Sequence, residues 1–453
     1  MGGRKGKPGG GFCRLGPAPL REINEGKERY ESQRRCQSLP EMRASLGSIT
    51  SRVLAAIANW GGVSLLRSRF LVEPRACMCM TKGLMECILG GMTDLSSSIY
   101  QTLLALLALP STPGHEEQVR AYLARRLEGL GLATQTDSAG NLIALLPGEG
   151  RPLLLNAHMD RVPPGLAHTP VLRDGVFYSD GTTNLGADDA AGLAIVLEIV
   201  TRVMEQRLPH PPLLLVFTVE EEVGLRGASA FDPTPWNVSE GIVFDNAFEA
   251  GVVVSQGAMY VAFDVEIRGR TGHPGKDLAQ TINALEIFRA ARYPHGSLHN
   301  DRTRILLGRL TAGSARNAVP DRVQIEGELR SFEPPAVREE LMGELQRAFE
   351  EAARQFGGSA QVTFNPHCTS YSVDENEPLL MRYREVLARR GEPLRLRPTF
   401  IGSDAAAFRP RIQAFTISTG VANEHSFEEY VPLHPLEMIV NDVLMVLKLH
   451  HAH

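Results

Sequence analysis

Histidine and carboxylate side chains collect at the ends of predicted strands in this chain. Three apolar runs, each typical of a buried strand, finish in such residues. The runs are RPLLLNAHMD at 151–160, PPLLLVFTVEEEVG at 211–224 and GIVFDN at 241–246. Because open α/β sheets bind ligands beyond the carboxyl ends of their strands, these side chains are expected to meet in one crevice. With one residue from a helix start and one from a late loop added, the set is His158, Asp160, Asp188, Glu221, Glu222, Asp245 and His425.

These residue types suit a hydrolytic centre with two metal ions. Cleavage of a peptide or amide bond at neutral pH needs an activated water and stabilisation of the oxyanion. Two cations about 3.5–4 Å apart supply both functions when histidines and carboxylates hold them and one carboxylate bridges them. A further carboxylate must act as the base.

His158 and Asp160 are two positions apart on a predicted strand, so their side chains point the same way. Asp160 can then accept a hydrogen bond from the far imidazole nitrogen of His158 and select its tautomer. Asp188 and Asp189 precede a predicted helix. Acids there are ordinary N-terminal caps, but two of them followed by small residues also suit a bridging ligand.

Glu221 and Glu222 follow an apolar strand, and a run of acids at a strand end is also common on solvated surfaces. At a bend the two side chains can divide the work, one binding metal and the other moving protons. Asp245 ends its own strand, and His425 lies in a polar loop before the last helix. The joint occurrence of all these residues on the right elements is what favours a metal centre.

The elements around these residues predict an α/β fold with an insertion. Strand and helix patterns alternate to about residue 255, as in a sheet with helices on both faces. From 257 to 372 the predicted order is β-α-β-β-α-β, the ferredoxin-like split unit. We therefore expect a catalytic domain formed by 92–256 and 373–453, with 257–372 inserted into it.

Composition separates a basic leader from an acidic body. Residues 1–91 contain 15 Lys and Arg against 7 Asp and Glu, whereas the remainder contains 32 against 45. The acidic body argues against nucleic-acid binding, and no apolar run reaches the ~20 residues that span a bilayer. Because Cys368 is the only cysteine after residue 91, a reducing cytoplasmic location is predicted. The leader is expected to be disordered or an over-long gene prediction, with the folded protein starting near Met92.

Five motifs make residues 96–453 resemble a co-catalytic zinc hydrolase family. The family includes tripeptide aminopeptidases (peptidase T), glutamate carboxypeptidases, acetylornithine deacetylases and succinyl-diaminopimelate desuccinylase. The motifs are HMDRVPPG at 158–165, GADDAAG at 186–192, VEEEVG at 219–224, GRTGHPGK at 269–276 and NEHSFEEYV at 423–431. The stretch SDGTTNLGADD at 179–189 and the HPGK sequence are most similar to the peptidase T-like branch. Ala190 stands where the family often has lysine.

The resemblance implies a fold and a role for each motif residue. The fold is a zinc-peptidase-like α/β domain with a mixed central sheet, plus an inserted α+β ferredoxin-like lid that also forms a homodimer. One ion would bind His158, Asp188 and Asp245, and the other would bind Asp188, Glu222 and His425. Glu221 would be the general base, Asp160 would orient His158, and His273 of the lid would stabilise the oxyanion across the dimer. The substrate-binding positions implied are Asn317, Arg330, Gly402 and Ser403.

The function expected from the resemblance is a metallopeptidase that removes residues from short peptides with two divalent ions. Zinc is the expected metal, with cobalt and manganese as alternatives. An N-acyl amino acid deacylase with the same centre is the competing function. The leucyl and glutamyl aminopeptidases usually carry an inserted domain between the first histidine and the bridging aspartate. They are disfavoured because the corresponding residues here, His158 and Asp188, are only thirty positions apart. A binding protein without metals is disfavoured by the complete ligand set.

Overall fold

Strands without a polar outward face form the middle of the larger sheet. The computed structural model describes residues 98–164, 168–245, 248–276 and 278–451, so the predicted leader lies outside the described residues. Every residue of the strands Leu153–His158 and Leu213–Thr218 is buried. Strands buried on both faces are typical of parallel sheets covered by helices.

Helices and strands are numbered in chain order. The helices are α1 (Ser98–Leu107), α2 (Glu117–Gly129), α3 (Ala187–Glu205), α4 (Arg226–Ala230), α5 (Ala284–Ala290), α6 (Pro335–Phe356), α7 (Pro378–Arg390), α8 (Asp404–Phe408) and α9 (Leu433–His451). The first strands are β1 (Thr134–Thr136), β2 (Leu142–Leu146), β3 (Leu153–His158), β4 (Val171–Arg173), β5 (Val176–Tyr178), β6 (Leu213–Thr218), β7 (Glu240–Asp245) and β8 (Val253–Gly257). The later strands are β9 (Met259–Arg268), β10 (Gly296–Leu298), β11 (Thr303–Ala312), β12 (Arg322–Ser331), β13 (Ser359–Cys368), β14 (Tyr371–Ser372), β15 (Leu396–Thr399), β16 (Gln413–Ser418) and β17 (Tyr430–Pro432).

The larger sheet has nine strands and is mixed, as predicted. Its order is β1-β2-β6-β3-β7-β16-β8-β14, with β15 paired to β8. The central neighbours β6, β3, β7 and β16 run parallel, while β2 and β8 join antiparallel to them. The parallel centre brings the carboxyl ends of β3, β6 and β7 to one edge of the sheet.

Helices cover both faces of this sheet and supply its core. Helix α3 is buried along almost its whole length and packs against β3, α1 and α9. On the other face, Ala228 of α4, Phe231 directly after α4 and Phe408 of α8 belong to a second apolar cluster. None of the described helices combines the length and hydropathy that crossing a bilayer requires.

A second sheet has five antiparallel strands in the order β10-β11-β12-β9-β13. With α5 and α6 it follows the predicted β-α-β-β-α-β order, to which the short strand β10 is added. Strand β9 alternates buried and more exposed residues, and its buried side packs with α6 through Phe263, Leu345 and Phe349. The domain boundaries predicted at 257 and 372 stay a prediction, as does the lid role of this segment.

Candidate metal centre

The predicted ligands lie where three neighbouring parallel strands end. His158 is the last residue of β3 and Asp245 is the last residue of β7. Glu221 and Glu222 follow the end of β6 after a short turn, and Asp188 lies in the first turn of α3. His425 reaches the same edge from the loop before β17.

Two groups of ligand atoms share Asp188. In the first group, the Nε2 atom of His158 lies 3.6 Å from Asp188 Oδ1 and 3.8 Å from Asp245 Oδ1. In the second group, the Nε2 atom of His425 lies 3.5 Å from Asp188 Oδ2 and 3.1 Å from Glu222 Oε1. The two carboxylate oxygens of Asp188 therefore face different groups, which is the arrangement of a bridging ligand.

The spacing within each group fits a divalent ion. Ligand atoms about 2.0–2.2 Å from one tetrahedral ion lie about 3.3–3.6 Å from each other, and the measured separations run from 3.1 to 3.8 Å. Asp188 Oδ1 is buried and has no hydrogen-bond partner among the described residues. Imidazole nitrogens and carboxylate oxygens are ligands that zinc and related divalent ions bind.

The charges of the two histidines depend on these carboxylates. Burial alone lowers the pKa of His158, but Asp160, Asp188 and Glu221 together raise that pKa well above its usual range. Asp188 and Glu222 raise the pKa of His425 to about 10. Burial raises the pKa of Asp188, but the two histidines outweigh it and bring the pKa down to about 2.

The pKa of Glu221 is shifted upwards, in the opposite direction to that of Asp188. Burial, followed by the charges of Asp245, Glu222 and Asp404, raises its pKa well above the usual range. It lies beside both groups, because one of its oxygens is within 4.8 Å of ligand atoms of His158 and Glu222. Several buried carboxylates so close together are costly without cations, and divalent ions would offset this negative charge.

Asp160 mainly holds the backbone of the two glutamates. Its two oxygens accept the N–H groups of Glu221 at 2.9 Å and Glu222 at 3.0 Å. The Nδ1 atom of His158 lies 3.4 Å from Asp160 Oδ1, which is longer than an ordinary N–H···O hydrogen bond. The orientation of His158 by Asp160 stays a prediction. The hydrogen bonds from the backbone of Glu221 and Glu222 to Asp160 were not indicated by the strand periodicity.

Further buried side chains that received no role from the sequence support the ligands. Asp189 accepts the N–H groups of His158 at 3.3 Å and Gly192 at 2.9 Å. Asp404 accepts hydrogen bonds from the Asn156 amide and the Thr218 hydroxyl behind His158. In the sequence, Asp189 stood out only as the second acid of the pair at 188–189, and Asp404 only as the residue that follows the predicted substrate positions Gly402 and Ser403.

Arg161 places a fully buried positive charge next to this acidic cluster. Its guanidinium donates to the carbonyl oxygens of Leu109 at 2.8 Å and Leu106 at 3.0 Å, at the carboxyl end of α1. Burial lowers its pKa to about 10, although the nearby charges of Glu429 and Asp189 favour the cation.

Comparison with known proteins identifies the family. The family model described as "Peptidase family M20/M25/M40" matches residues 154–449, which is more than half of the chain. The chain belongs to peptidase family M20/M25/M40. It is therefore a hydrolase of the peptidase class, as the motifs predicted.

Relatives place this M20-family chain in the peptidase T-like branch. It is 26% identical over 288 residues to peptidase T of Serratia proteamaculans, covering 62% of this chain and 69% of that protein. It is 29% identical over 363 residues to the uncharacterized protein YqjE of Bacillus subtilis, covering 77% of this chain and 97% of that protein. The crystal structure of a tripeptidase from Staphylococcus aureus matches with a TM-score of 0.75 and 29% identity, over 79% of this chain and 98% of that chain.

A cleft of about 450 Å³ lies beside the predicted metal ligands of this M20-family chain and between its two sheets. Its ligand side includes Asp188, Glu221, Glu222 and His425. Its other side includes Tyr260, Arg330 and His367, which come from strands β9, β12 and β13. Segments of both sheets thus line this cleft.

Only part of the predicted substrate set lines this cleft. Arg330 and Gly402 do so, whereas the buried Ser403 hydroxyl lies 2.9 Å from the Thr416 hydroxyl. Arg330 lies over the Tyr260 ring at 4.4 Å. It also donates to the carbonyl oxygen of Phe400 at 2.8 Å and to the Glu328 carboxylate at 3.1 and 3.2 Å.

The structure places His273 and Asn317 outside the cleft of their own chain. Both residues are exposed, and neither is among the described residues that line the cleft. They lie in adjoining loops, because the Val319 N–H donates to the carbonyl oxygen of Gly272 at 3.0 Å. The two positions share one end of the second sheet, so a single chain does not bring them to the metal ligands.

Proposed function

We propose that this protein is an aminopeptidase-like exopeptidase that cleaves short peptides with a two-metal centre. The observation that carries the proposal is the position of Asp188, whose two oxygens face separate groups of histidine and carboxylate ligands. His158, Asp188 and Asp245 would hold one ion, and Asp188, Glu222 and His425 would hold the other. When bound, such ions polarise the scissile carbonyl and lower the pKa of water.

Glu221 is the general base in this proposal. Its side chain is buried beside both ligand groups, and its backbone is held by Asp160. It takes a proton from the attacking water and delivers it to the amine of the leaving residue. The high pKa of Glu221 in the metal-free site falls when cations bind, since positive charge favours the carboxylate.

The charges along the cleft favour a peptide with free ends. Glu424 lies on the ligand side, where a free α-amino group gains from negative charge, and Arg330 lies on the opposite side. A guanidinium offers the geometry that recognises a carboxylate. Because Glu328 already accepts from Arg330, an incoming carboxylate has to compete with it.

A substrate panel tests this function. The zinc-loaded protein is expected to cleave unblocked tripeptides with kcat/KM at least ~10-fold above that for N-acetylated amino acids, because the charged amine contributes about 1.4 kcal/mol or more. Rates on tripeptides, dipeptides, N-blocked tripeptides and acetylated amino acids are measured in parallel. Preference for the acetylated compounds would favour the deacylase function instead.

We also propose that His273 acts in the cleft of a partner subunit in a homodimer. The Gly275 N–H donates to His273 Nδ1 at 3.1 Å, so the neutral imidazole carries its proton on the exposed Nε2 and can donate it to an oxyanion. On the open face of the second sheet, Leu306 is 57% exposed, which suits contact with a second copy.

Metal binding is expected to release protons. The carboxylates favour protonated imidazoles before an ion binds, because they raise the pKa of His425 to about 10 and that of His158 well above its usual range. A ligating imidazole must be neutral, so each histidine loses a proton and affinity rises as the pH increases towards 10.

Titration calorimetry on chelator-treated protein measures this release. The apparent binding enthalpy should vary with the ionisation enthalpy of the buffer, with a slope to which His425 contributes about one proton per chain. His425→Gln should lower the slope by about one proton. A slope of zero in the unsubstituted protein would contradict binding by these two histidines.

A further inference from the structure

Glu429 is a buried carboxylate to which the proposed chemistry assigns no role. Its side chain is 1% exposed and binds four successive backbone N–H groups. One oxygen accepts from Leu185 at 2.8 Å and Gly186 at 2.9 Å. The other accepts from Ala187 at 2.8 Å and Asp188 at 3.2 Å.

These N–H groups belong to the start of α3 and have no acceptor within the helix. The residue at the N-cap, Gly186, has no side chain to supply one, and its φ of 71° lies in the left-handed region. A β-carbon at Gly186 would also meet Arg161 at 2.7 Å and His168 at 2.8 Å. The helix is therefore capped by an anion from a distant segment, which both the helix dipole and charge-assisted hydrogen bonds favour.

Glu429 also belongs to the segment that carries His425, four residues earlier. Its own carbonyl oxygen accepts the Ser179 N–H at 3.0 Å. The next residue, Tyr430, begins β17 and pairs with Tyr178 of β5. The backbone of Glu429 thus hydrogen-bonds to the segment that follows β5, while its side chain hydrogen-bonds to the backbone of Leu185–Asp188.

We propose that Glu429 is a positioning residue that sets the separation between Asp188 and His425. By holding the Asp188 backbone from the His425 segment, it keeps Asp188 Oδ2 and His425 Nε2 3.5 Å apart. This inference rests on the proposed two-metal function and deepens it. The ion shared by Asp188, Glu222 and His425 depends on Glu429 more than the other ion does, because His425 serves only that ion.

Glu429→Gln tests the proposal with little change in size. A glutamine has one acceptor oxygen, and its NH₂ group faces N–H donors that it cannot satisfy. Zinc titration against a chromophoric chelator should resolve two ions in the unsubstituted protein. In the variant, affinity for the ion proposed to bind Asp188, Glu222 and His425 should fall about 10–100-fold, as is usual when a residue that orients metal ligands is lost. Affinity for the other ion should change much less.

Two further measurements separate positioning from general support of the fold. Because Glu429 is not among the described residues that line the cleft, kcat on a tripeptide should fall while KM stays within about twofold. Amide hydrogen exchange in metal-free protein should accelerate at Leu185–Asp188 and stay unchanged in α9. The matched control is Glu428→Gln, the neighbouring glutamate with an exposed side chain, which should behave as the unsubstituted protein does.

Either of two results would overturn the inference. The first is an unchanged zinc affinity at both positions in Glu429→Gln. The second is an equal loss of affinity for both ions together with faster amide hydrogen exchange throughout the chain. If Glu429→Gln does not fold, the same measurements are made on Glu429→Asp, which keeps the charge but shortens the side chain. Zinc affinities of Glu429→Asp equal to those of the unsubstituted protein would then overturn the inference. Failure of the unsubstituted protein to bind zinc would instead reject the proposed function itself.

Discussion

Glu221→Gln is expected to lower kcat about 10³-fold or more and to leave two metal ions bound. A glutamine of the same shape cannot take a proton from water, and loss of a general base typically costs 10²–10⁴-fold. Metal content should persist because none of the proposed ligands is changed. The measurement is kcat on a tripeptide, together with metal content by elemental analysis.

The adjacent residue provides the matched control for this substitution. Glu220 pairs with the exposed Arg226 at 2.7 Å and is not among the described residues that line the cleft. Glu220→Gln should therefore change kcat by less than about twofold, since a surface ion pair contributes little. Full activity of Glu221→Gln would remove Glu221 as the base. Loss of one ion in that variant would make Glu221 a ligand instead.

His273→Ala is expected to lower kcat about 10²–10³-fold, the usual cost of losing one donor to an oxyanion, while metal content stays unchanged. The residue lies outside the cleft of its own chain, so the effect requires a second subunit. The matched control is His295→Ala, an exposed histidine of the same inserted segment, which should retain activity. Unchanged kinetics in His273→Ala would contradict the proposed role.

Mixing the two inactive variants tests whether the histidine acts across subunits. A mixed dimer of Glu221→Gln and His273→Ala contains one cleft with both an intact Glu221 and a partner that retains His273. Random reassembly makes half of the dimers mixed, each with one complete cleft of two, so activity should recover to about a quarter of the unsubstituted value. No recovery in verified mixed dimers would place the function of His273 within one chain, or nowhere in the reaction.

The pH dependence of the remaining activity should differ between Glu221→Gln and His273→Ala. Glu221 moves a proton, so its loss should change the pH profile of the remaining activity. His273 would donate a hydrogen bond without transferring a proton, so its loss should lower the rate without removing a proton-transfer step. The two effects need not add, because residues that act on one transition state are usually not independent.

Residue types and strand ends sufficed to predict from the sequence the edge of the sheet where the candidate ligands meet. His158 and Asp245 follow apolar strands whose burial dictates a parallel sheet, and parallel strands end at a common edge. The α/β sheet with helices on both faces and the second β-α-β-β-α-β sheet follow from hydrophobic periodicity in the same way. The mixed strand directions of the larger sheet were implied by the resemblance. Motif similarity added His425, whose loop has no periodicity that could have placed it.

Only the tertiary structure decided how the ligands are held and which predicted residues reach the cleft. The Glu429 carboxylate caps a helix that begins at Ala187, and Asp160 holds the backbone of Glu221, because folding brings together segments that no local pattern connects. Likewise, only the structure shows that His273 lies outside the cleft of its own chain. The sequence by itself determined which side chains can bind metal, since that depends on residue chemistry. Their distances, burial and charge states depend on packing across the whole chain, and the structure alone defines them.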